Sequence, residues 1–381
     1  MRVLFVHPSP YLTGAGRMLA LLTKYLRRRG HETLVVLPEA GPLTRVHGED
    51  LGPIVFVPMT PLRRSPVMIA RHLLEFPETV RRLEQLVRAW RPDLVHVNGV
   101  YTLWAGIAAR RARVPCLYHV HEARESYPRW LYRMWQAVVA RRASRIVLVH
   151  AQLQEAWAQC AGYPIAIENG VDVERIRARV RDPVAAELRR AWGDYRPLLL
   201  CPSHIMPGKN QRLLLRAAPT IFRHLPDAGI VFLGRTHGRA ANEAYLRELQ
   251  QLARALGVEA RLRFADEPED AHHAYGAADL VISTSPVEAF GLIPLEGLAA
   301  GKPVISVRTA IAERLQACGY AVRVVSPTDP EELARAVVET LAAPPRTKTV
   351  AFPEDYQAER VVTQFEITYA RILAERHGVT P

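Results

Sequence analysis

Cysteine, lysine and long apolar runs are all scarce in this chain. Its four cysteines, Cys116, Cys160, Cys201 and Cys318, stand far apart with no C-x-x-C spacing. That excludes a disulfide framework or a zinc knuckle and points to a reducing compartment, the cytoplasm. No apolar run approaches the ~18 residues of a membrane-spanning helix. The N-terminal Met1-Arg-Val-Leu-Phe-Val meets His7 and Pro8 too soon for a signal peptide and reads as a buried strand. Also absent are H-E-x-x-H, G-x-S-x-G, G-x-x-x-x-G-K-[ST] and the D-x-D of metal-dependent transferases, so no metal site is expected. No nucleic-acid-binding module is recognisable, and no nucleic-acid partner is expected.

Only four of the 50 basic residues are lysine, so arginine abundance by itself says little. Placement says more. Residues 1–196 hold 30 Lys+Arg against 17 Asp+Glu, a net +13, and residues 197–381 hold 20 against 21, a net −1. The positive half therefore needs a partner other than nucleic acid.

What is present describes a two-domain α/β protein. A length of 381 residues exceeds one ordinary core, and 49% apolar with 23% charged residues is a globular composition. Short apolar strands alternate with helical patterns, as in doubly wound parallel sheets covered on both faces. In the first half, strands are expected near Arg2–His7, Glu32–Leu37, Ile54–Pro58, Leu94–Val97, Pro115–His119 and Arg145–Val149. Helices Arg17–Arg29, Pro66–Phe76, Glu78–Trp90, Leu103–Ala112, Pro128–Arg142 and Gln152–Ala161 fill the gaps. The pattern restarts at Leu198 after Trp192-Gly-Asp-Tyr-Arg-Pro197, which reads as a linker and divides the chain into domains 1–192 and 193–353. A last helix follows from about Glu354.

The most informative stretch is Ala277 to Arg308, read as strand, loop, helix, loop and strand. Gly301 closes its helix, and Pro294 falls in the first turn, where a missing N–H breaks no bond. The loop from Ser285 to Gly291 then offers backbone N–H groups at a helix start, where an anion is favoured. Glu288 and Glu296 bracket it with seven residues between them. Glu288 suits a polyol whose hydroxyls donate to it, and Glu296 suits a vicinal diol such as ribose.

Glu288-Ala-Phe-Gly-Leu-Ile-Pro-Leu-Glu296 followed by Gly301-Lys-Pro-Val resembles the E-x7-E signature of retaining glycosyltransferases of family four. The resemblance extends over nearly the full chain, its more specific motifs lying in the second half. It implies a GT-B fold, two Rossmann-like domains facing each other across a cleft, with the last helix, within 354–381, crossing back to the first. It assigns the nucleotide sugar to the second domain and the acceptor to the first, with no cofactor beyond the donor. Glu296 would then hold ribose and Glu288 the donor hexose. Lys209, with the backbone of Phe290, Gly291 and Leu292, would neutralise the diphosphate, the work a metal does elsewhere. Gly14 and Gly16, too far from the first strand for a dinucleotide fingerprint, would lie in a loop near the donor phosphates, and His121 beside the donor sugar. Catalytic candidates are thus His121, Glu288 and Lys209.

Departures from the family pattern are specific. His204 occupies the place of an arginine in the diphosphate loop, Asp266 that of a glycine, His150 that of a serine, and Thr309-Ala-Ile-Ala-Glu313 a glycine pair. Asn169-Gly-Val-Asp172 fits the family's N-G-V-D turn. A transferase is the expectation, a sugar-nucleotide epimerase and a non-catalytic nucleotide-sugar binder being the alternatives. The acceptor stays open among saccharide, lipid-linked and small-molecule classes. Two basic segments with apolar bulk, Pro61-Leu-Arg63-Arg64 and Arg124–Arg142, suggest peripheral contact with a membrane. The helical stripe Trp130, Leu131, Met134, Trp135, Val138, Val139 reads either as core or as a bilayer-facing surface.

Overall fold

The computed structural model describes residues 1–60, 66–124, 127–158, 164–268, 270–343 and 351–376, with backbone alone for 66–69. Cys160 and the segment Pro61-Leu-Arg63-Arg64 lie outside the described residues. The chain divides into two units, Met1–Gly170 with Glu354–Pro381, and Val171–Pro353.

The first unit runs β1 Arg2–Val6, α1 Gly14–Arg28, β2 Glu32–Leu37, α2 Pro42–Leu51, β3 Ile54–Phe56, α3 Pro66–Trp90, β4 Leu94–Asn98 and α4 Leu103–Arg111. It continues with β5 Cys116–Val120, α5 Arg129–Ala140, β6 Arg145–Leu148, α6 Leu153–Trp157 and β7 Pro164–Ala166. All its strand pairs are parallel, in the order β3-β2-β1-β4-β5-β6-β7. Covered on both faces, β1, β4 and β5 carry buried residues almost without interruption.

Three local expectations change. Helix α1 starts at Gly14 rather than Arg17, because Thr13 caps it, its Oγ1 accepting from Gly16 N at 3.1 Å. Helix α3 continues through Pro77 as one element of 25 residues where two helices were expected. The apolar stripe of α5 divides: Trp135 and Val139 are buried, whereas Trp130 is 69% and Met134 42% exposed, beside the exposed Arg129 and Arg133.

The second unit runs α7 Val173–Val180, α8 Pro183–Trp192, β8 Leu198–Pro202, α9 Gln211–His224, β9 Gly229–Leu233, α10 Ala240–Ala255 and β10 Leu262–Ala265. Then come α11 His272–Ala277, β11 Leu280–Ser283, α12 Ile293–Ala299, β12 Val304–Val307, α13 Ala310–Ala317, β13 Val322–Val325 and α14 Pro330–Ala342. Its six parallel strands are ordered β10-β9-β8-β11-β12-β13. Asp329 caps α14, accepting from Glu331 N and Glu332 N at 3.0 Å each. The segment 171–192, assigned from sequence to the first domain, belongs here instead. Arg189 of α8 bonds Asp279 and the Tyr195 carbonyl, and Arg175 of α7 bonds Asp270. Trp192–Pro197 is thus a turn inside this unit, not a linker.

The last helix, α15 Ala358–Arg376, is part of the first unit. Its Val361, Val362, Phe365, Tyr369 and Ile372 join the core with Met18, Leu22 and Phe5. Burying such side chains is worth about 1.5–3 kcal/mol each, gross.

Candidate active site

In an open parallel sheet, ligands bind beyond the carboxyl ends of the strands where the strand order reverses. In the second unit that point lies between β8 and β11, which pair with Leu280 opposite Leu199. The loop after β8 is held in shape by fully buried Gln211, whose Nε2 donates to Ser203 Oγ at 2.9 Å and to the His204 carbonyl at 2.8 Å. It ends in a short 3-10 turn, Pro207–Lys209, and a left-handed Asn210. Thr284, just past β11, ties the two loops by donating to the Lys209 carbonyl at 2.6 Å. Between them Lys209 Nζ donates to Glu288 Oε1 at 2.6 Å, both side chains being largely buried. Gly291 sits at φ +92, a conformation open to glycine, and turns the loop from buried Phe290 toward Leu292, the N-cap of α12. Ser285 Oγ is buried with no partner among the described residues.

Glu296 lies behind this loop, 2% exposed. Its Oε2 accepts from the Tyr275 hydroxyl at 2.6 Å, and its Oε1 lies 3.6 Å from His272 Nε2. On the other side of that ring, Nδ1 is 3.1 Å from Asp270 Oδ1. Asp270 Oδ2 in turn accepts from Arg175 Nη2 at 2.9 Å and Arg179 Nε at 3.1 Å. Burial works to lower the His272 pKa, but the Asp270 and Glu296 carboxylates on either side of the ring overcome it and raise the pKa above its ordinary value. Burial likewise works to raise Asp270, yet His272 and Arg175 hold its carboxyl well below the usual range.

In the first unit the reversal lies between β1 and β4. Asn98, ending β4, donates from Nδ2 to the Ala15 carbonyl and to His7 Nδ1, each at 3.0 Å. Its Oδ1 lies 2.6 Å from His121 Nε2. Since Asn98 Oδ1 only accepts, His121 carries its proton on Nε2 and keeps Nδ1 as an acceptor. Burial, with His119 and His7 nearby, holds His121 well below its ordinary pKa, so the ring is neutral. His119 lies against it, the rings tilted by 46° with centroids 4.0 Å apart, fully buried and with neither nitrogen partnered among the described residues. His96 Nδ1 lies 2.6 Å from the Tyr369 hydroxyl. Next to His121, Glu122 Oε2 accepts from the backbone of Val100 at 3.0 Å and of His121 at 3.1 Å. Burial still pushes its carboxyl up to about 7. No group of three or more His, Cys, Asp or Glu suited to a metal occurs among the described residues.

Two family models match successive parts of the chain: Glycosyltransferase Family 4 over residues 12–175, and Glycosyl transferases group 1 over residues 187–351. The chain belongs to glycosyltransferase family 4. Among curated relatives it is 29% identical over 74% of its length to a GDP-mannose-dependent alpha-(1-6)-phosphatidylinositol monomannoside mannosyltransferase of Mycolicibacterium smegmatis, covering 77% of that protein. A sulfoquinovosyl transferase of Arabidopsis thaliana is 26% identical over 80% of this chain, which spans 59% of that longer protein. Among solved structures, Anabaena HepE in complex with UDP and glucose superposes with a TM-score of 0.79 at 23% identity, covering 97% of this chain and 99% of that one. Sucrose-phosphate synthase of Thermosynechococcus elongatus gives 0.74 at 18% identity, covering 98% and 99%. The fold is therefore GT-B, and this family 4 protein is a nucleotide-sugar-dependent glycosyltransferase.

Of the residues singled out from its sequence, Lys209, Glu288, Phe290, Gly291, Leu292 and Glu296 gather at the carboxyl edge of the second sheet. His204 lies in the same β8 loop, its ring 4.3 Å from that of His237. Gly14, Gly16 and His121 belong to the first unit. Gly14 is exposed in the first turn of α1 rather than in a loop. Gly16 is buried: its N–H goes to Thr13, and a methyl group there would come within 3.2 Å of the Tyr11 carbonyl. Sequence reasoning missed Tyr275, His272, Asp270, Arg175 and Arg179 altogether. Arg175 and Glu296 are distant in the chain, and no short motif joins them. Glu122 was passed over as the neighbour of His121, although a charge ending a buried strand was a signal.

Proposed function

We propose that this family 4 enzyme is a metal-independent, retaining hexosyltransferase whose second unit binds the nucleotide sugar. The observation that carries the assignment is the Lys209–Glu288 pair at 2.6 Å, seated at the sheet's switch point with buried Glu296 behind it. A cation and a carboxylate held side by side suit a ligand that is diphosphate at one end and polyol at the other. In this reading Lys209, with the backbone of Gly291 and Leu292, meets the diphosphate, and Glu288 the sugar hydroxyls. Glu296 takes the ribose diol, while His204 and Phe290 flank the nucleotide. The exposed Gly14 and neutral His121, with its acceptor Nδ1, are the first unit's candidates.

For the acceptor we propose a lipid-linked polyol reached at an anionic membrane surface. The phosphatidylinositol-glycosylating relatives support this, as do Trp130 and Met134, exposed on α5 beside Arg129 and Arg133. Each basic residue near an anionic surface adds about 1 kcal/mol. Among the described residues no helix is long and apolar enough to cross a membrane.

The test incubates the protein with UDP-glucose or GDP-mannose in EDTA and follows free nucleoside diphosphate, with and without vesicles containing phosphatidylinositol. Release that requires vesicles and survives EDTA supports the reading. Release requiring EDTA-sensitive metal would overturn metal independence, and release driven only by soluble saccharides would overturn the lipid acceptor.

A further inference from the structure

Just past β5, the Glu122 carboxyl group has one oxygen occupied and one not. Oε2 accepts from Val100 N at 3.0 Å and from His121 N at 3.1 Å, which uses both of its lone pairs. Oε1 accepts no hydrogen bond among the described residues. It lies beside Gly99, the first residue after β4, where a methyl group would come within 2.9 Å of Oε1 and 3.8 Å of Tyr101 Cε1. Glu122 Oε1 and the ring edge of Tyr101 therefore border one small space, which glycine leaves open at φ +106. Glu122 and Tyr101 are both only half-buried.

We propose that Glu122 is an acceptor-binding residue: its Oε1 accepts from a hydroxyl of a polyol seated against Tyr101. The proposal rests on the reading that the first unit receives a polyol acceptor, and it names the side chains that would hold it.

The place suits such a ligand. Strands β4 and β5 are paired, with Asn98 opposite His119, so the loops carrying Gly99 and Glu122 leave the carboxyl edge side by side, next to the switch point. From α5, the Tyr132 hydroxyl donates to the Glu122 carbonyl at 3.2 Å, which ties this loop to the helix that exposes Trp130 and Met134. A headgroup held at that helix is therefore brought toward Glu122.

The chemistry selects the ligand class. An ionised carboxylate only accepts, so Oε1 takes a hydroxyl and repels a phosphate. The Tyr101 ring, backed by Trp135 with centroids 5.8 Å apart, offers an apolar wall to the C–H face of a sugar or cyclitol ring. Bracing the loop does not by itself call for glutamate. A glutamine would accept the same two backbone N–H groups and carry no charge, whereas burial pushes the Glu122 carboxyl up to about 7. A charge that the fold disfavours, at a sheet edge where ligands bind, points to binding.

The test is Glu122→Gln near pH ~8, where the wild-type carboxyl is ionised. With its Oε1 taken by the two backbone N–H groups, the glutamine presents an N–H donor where the wild type presents an acceptor, at almost the same shape. Transfer from GDP-mannose and UDP-glucose is measured to phosphatidylinositol vesicles and to soluble myo-inositol, varying donor and acceptor separately. Expected is an acceptor KM roughly tenfold higher, with donor KM unchanged. An unchanged acceptor KM overturns the proposal and leaves Glu122 as a loop brace. A rise confined to donor KM overturns it too, since Glu122 would then serve the donor. Transfer to myo-inositol alone overturns the lipid-linked acceptor of the preceding reading, and the proposal is then judged by the myo-inositol KM. If the wild type transfers to neither, or Glu122→Gln does not fold, carboxyl NMR of the glutamate-labelled wild type decides. The glutamate titrating near about 7 should titrate lower in saturating myo-inositol, because hydroxyls donate to the ionised form. A midpoint that myo-inositol leaves in place overturns the proposal.

Discussion

Residues 1–196 carry a net +13 and residues 197–381 a net −1, yet the two sheet edges invert that contrast. At the carboxyl edge of the first unit the histidines are neutral: burial drives His96, His119 and His121 well below the ordinary value, and His7 down to about 4, outweighing a hydrogen bond with the Asn98 backbone that works to raise it. Glu122 beside them is pushed toward its uncharged form. The second unit instead holds Lys209–Glu288 and the Arg175–Asp270–His272–Glu296 row. Net charge resides on solvated arginines and says little about a site, where burial and immediate partners decide which groups ionise.

The largest expected effect tests the ionised side. Lys209→Ala should lower kcat roughly hundredfold, because charge on the departing diphosphate grows toward the transition state. Steady-state kinetics with a nucleotide sugar measures it, and Lys209→Arg should recover part of the loss. A change confined to donor KM would mean that Lys209 serves binding alone.

The neutral side predicts stabilisation when charge is removed. With its folded pKa raised to about 7 from about 4.5, Glu122 is protonated in the folded chain and ionised in the unfolded chain between those values. Stability therefore falls as pH rises through that window. Glu122→Gln copies the protonated form and should gain about 2 kcal/mol over wild type near pH 8, with little difference near pH 4.5. Urea midpoints at the two pH values check this, and an equal gain at both would remove the titration as its cause.

Smaller again is the effect expected at His119, whose ring nitrogens have no partner among the described residues. His119→Phe keeps the ring contacts with Phe365 and His121 and should be neutral or stabilising by up to ~1 kcal/mol. A thermal unfolding loss above that figure would show that the imidazole has a polar role the neutral-edge description lacks.

Much of the architecture was legible because parallel strands buried on both faces leave short apolar runs, and β1, β2, β4 and β6 lie where those runs predict. The elements missed were short or polar. Strand β7 is three half-buried residues, and α7 has one fully buried residue, so neither carries a hydrophobic period. The unit boundary at Gly170 was missed for a related reason: α7 and α8 join the second unit by packing on α11 and by the bonds of Arg175 and Arg189, contacts between distant residues that no local pattern announces.

By itself the sequence determined two parallel α/β repeats and placed a glutamate pair, a lysine and a glycine turn in the loops that follow strands. These are local matters of side-chain period, spacing and turn chemistry. Tertiary structure alone decided which side chains meet and in what charge state. Lys209 and Glu288 are joined because β8 and β11, distant in the chain, are adjacent in the sheet. Glu296 acquires His272, Asp270 and two arginines as neighbours because α7 packs against both α11 and α12. Ionisation depends on solvent exclusion and on charges within a few ångströms, and both are properties of packing across the chain.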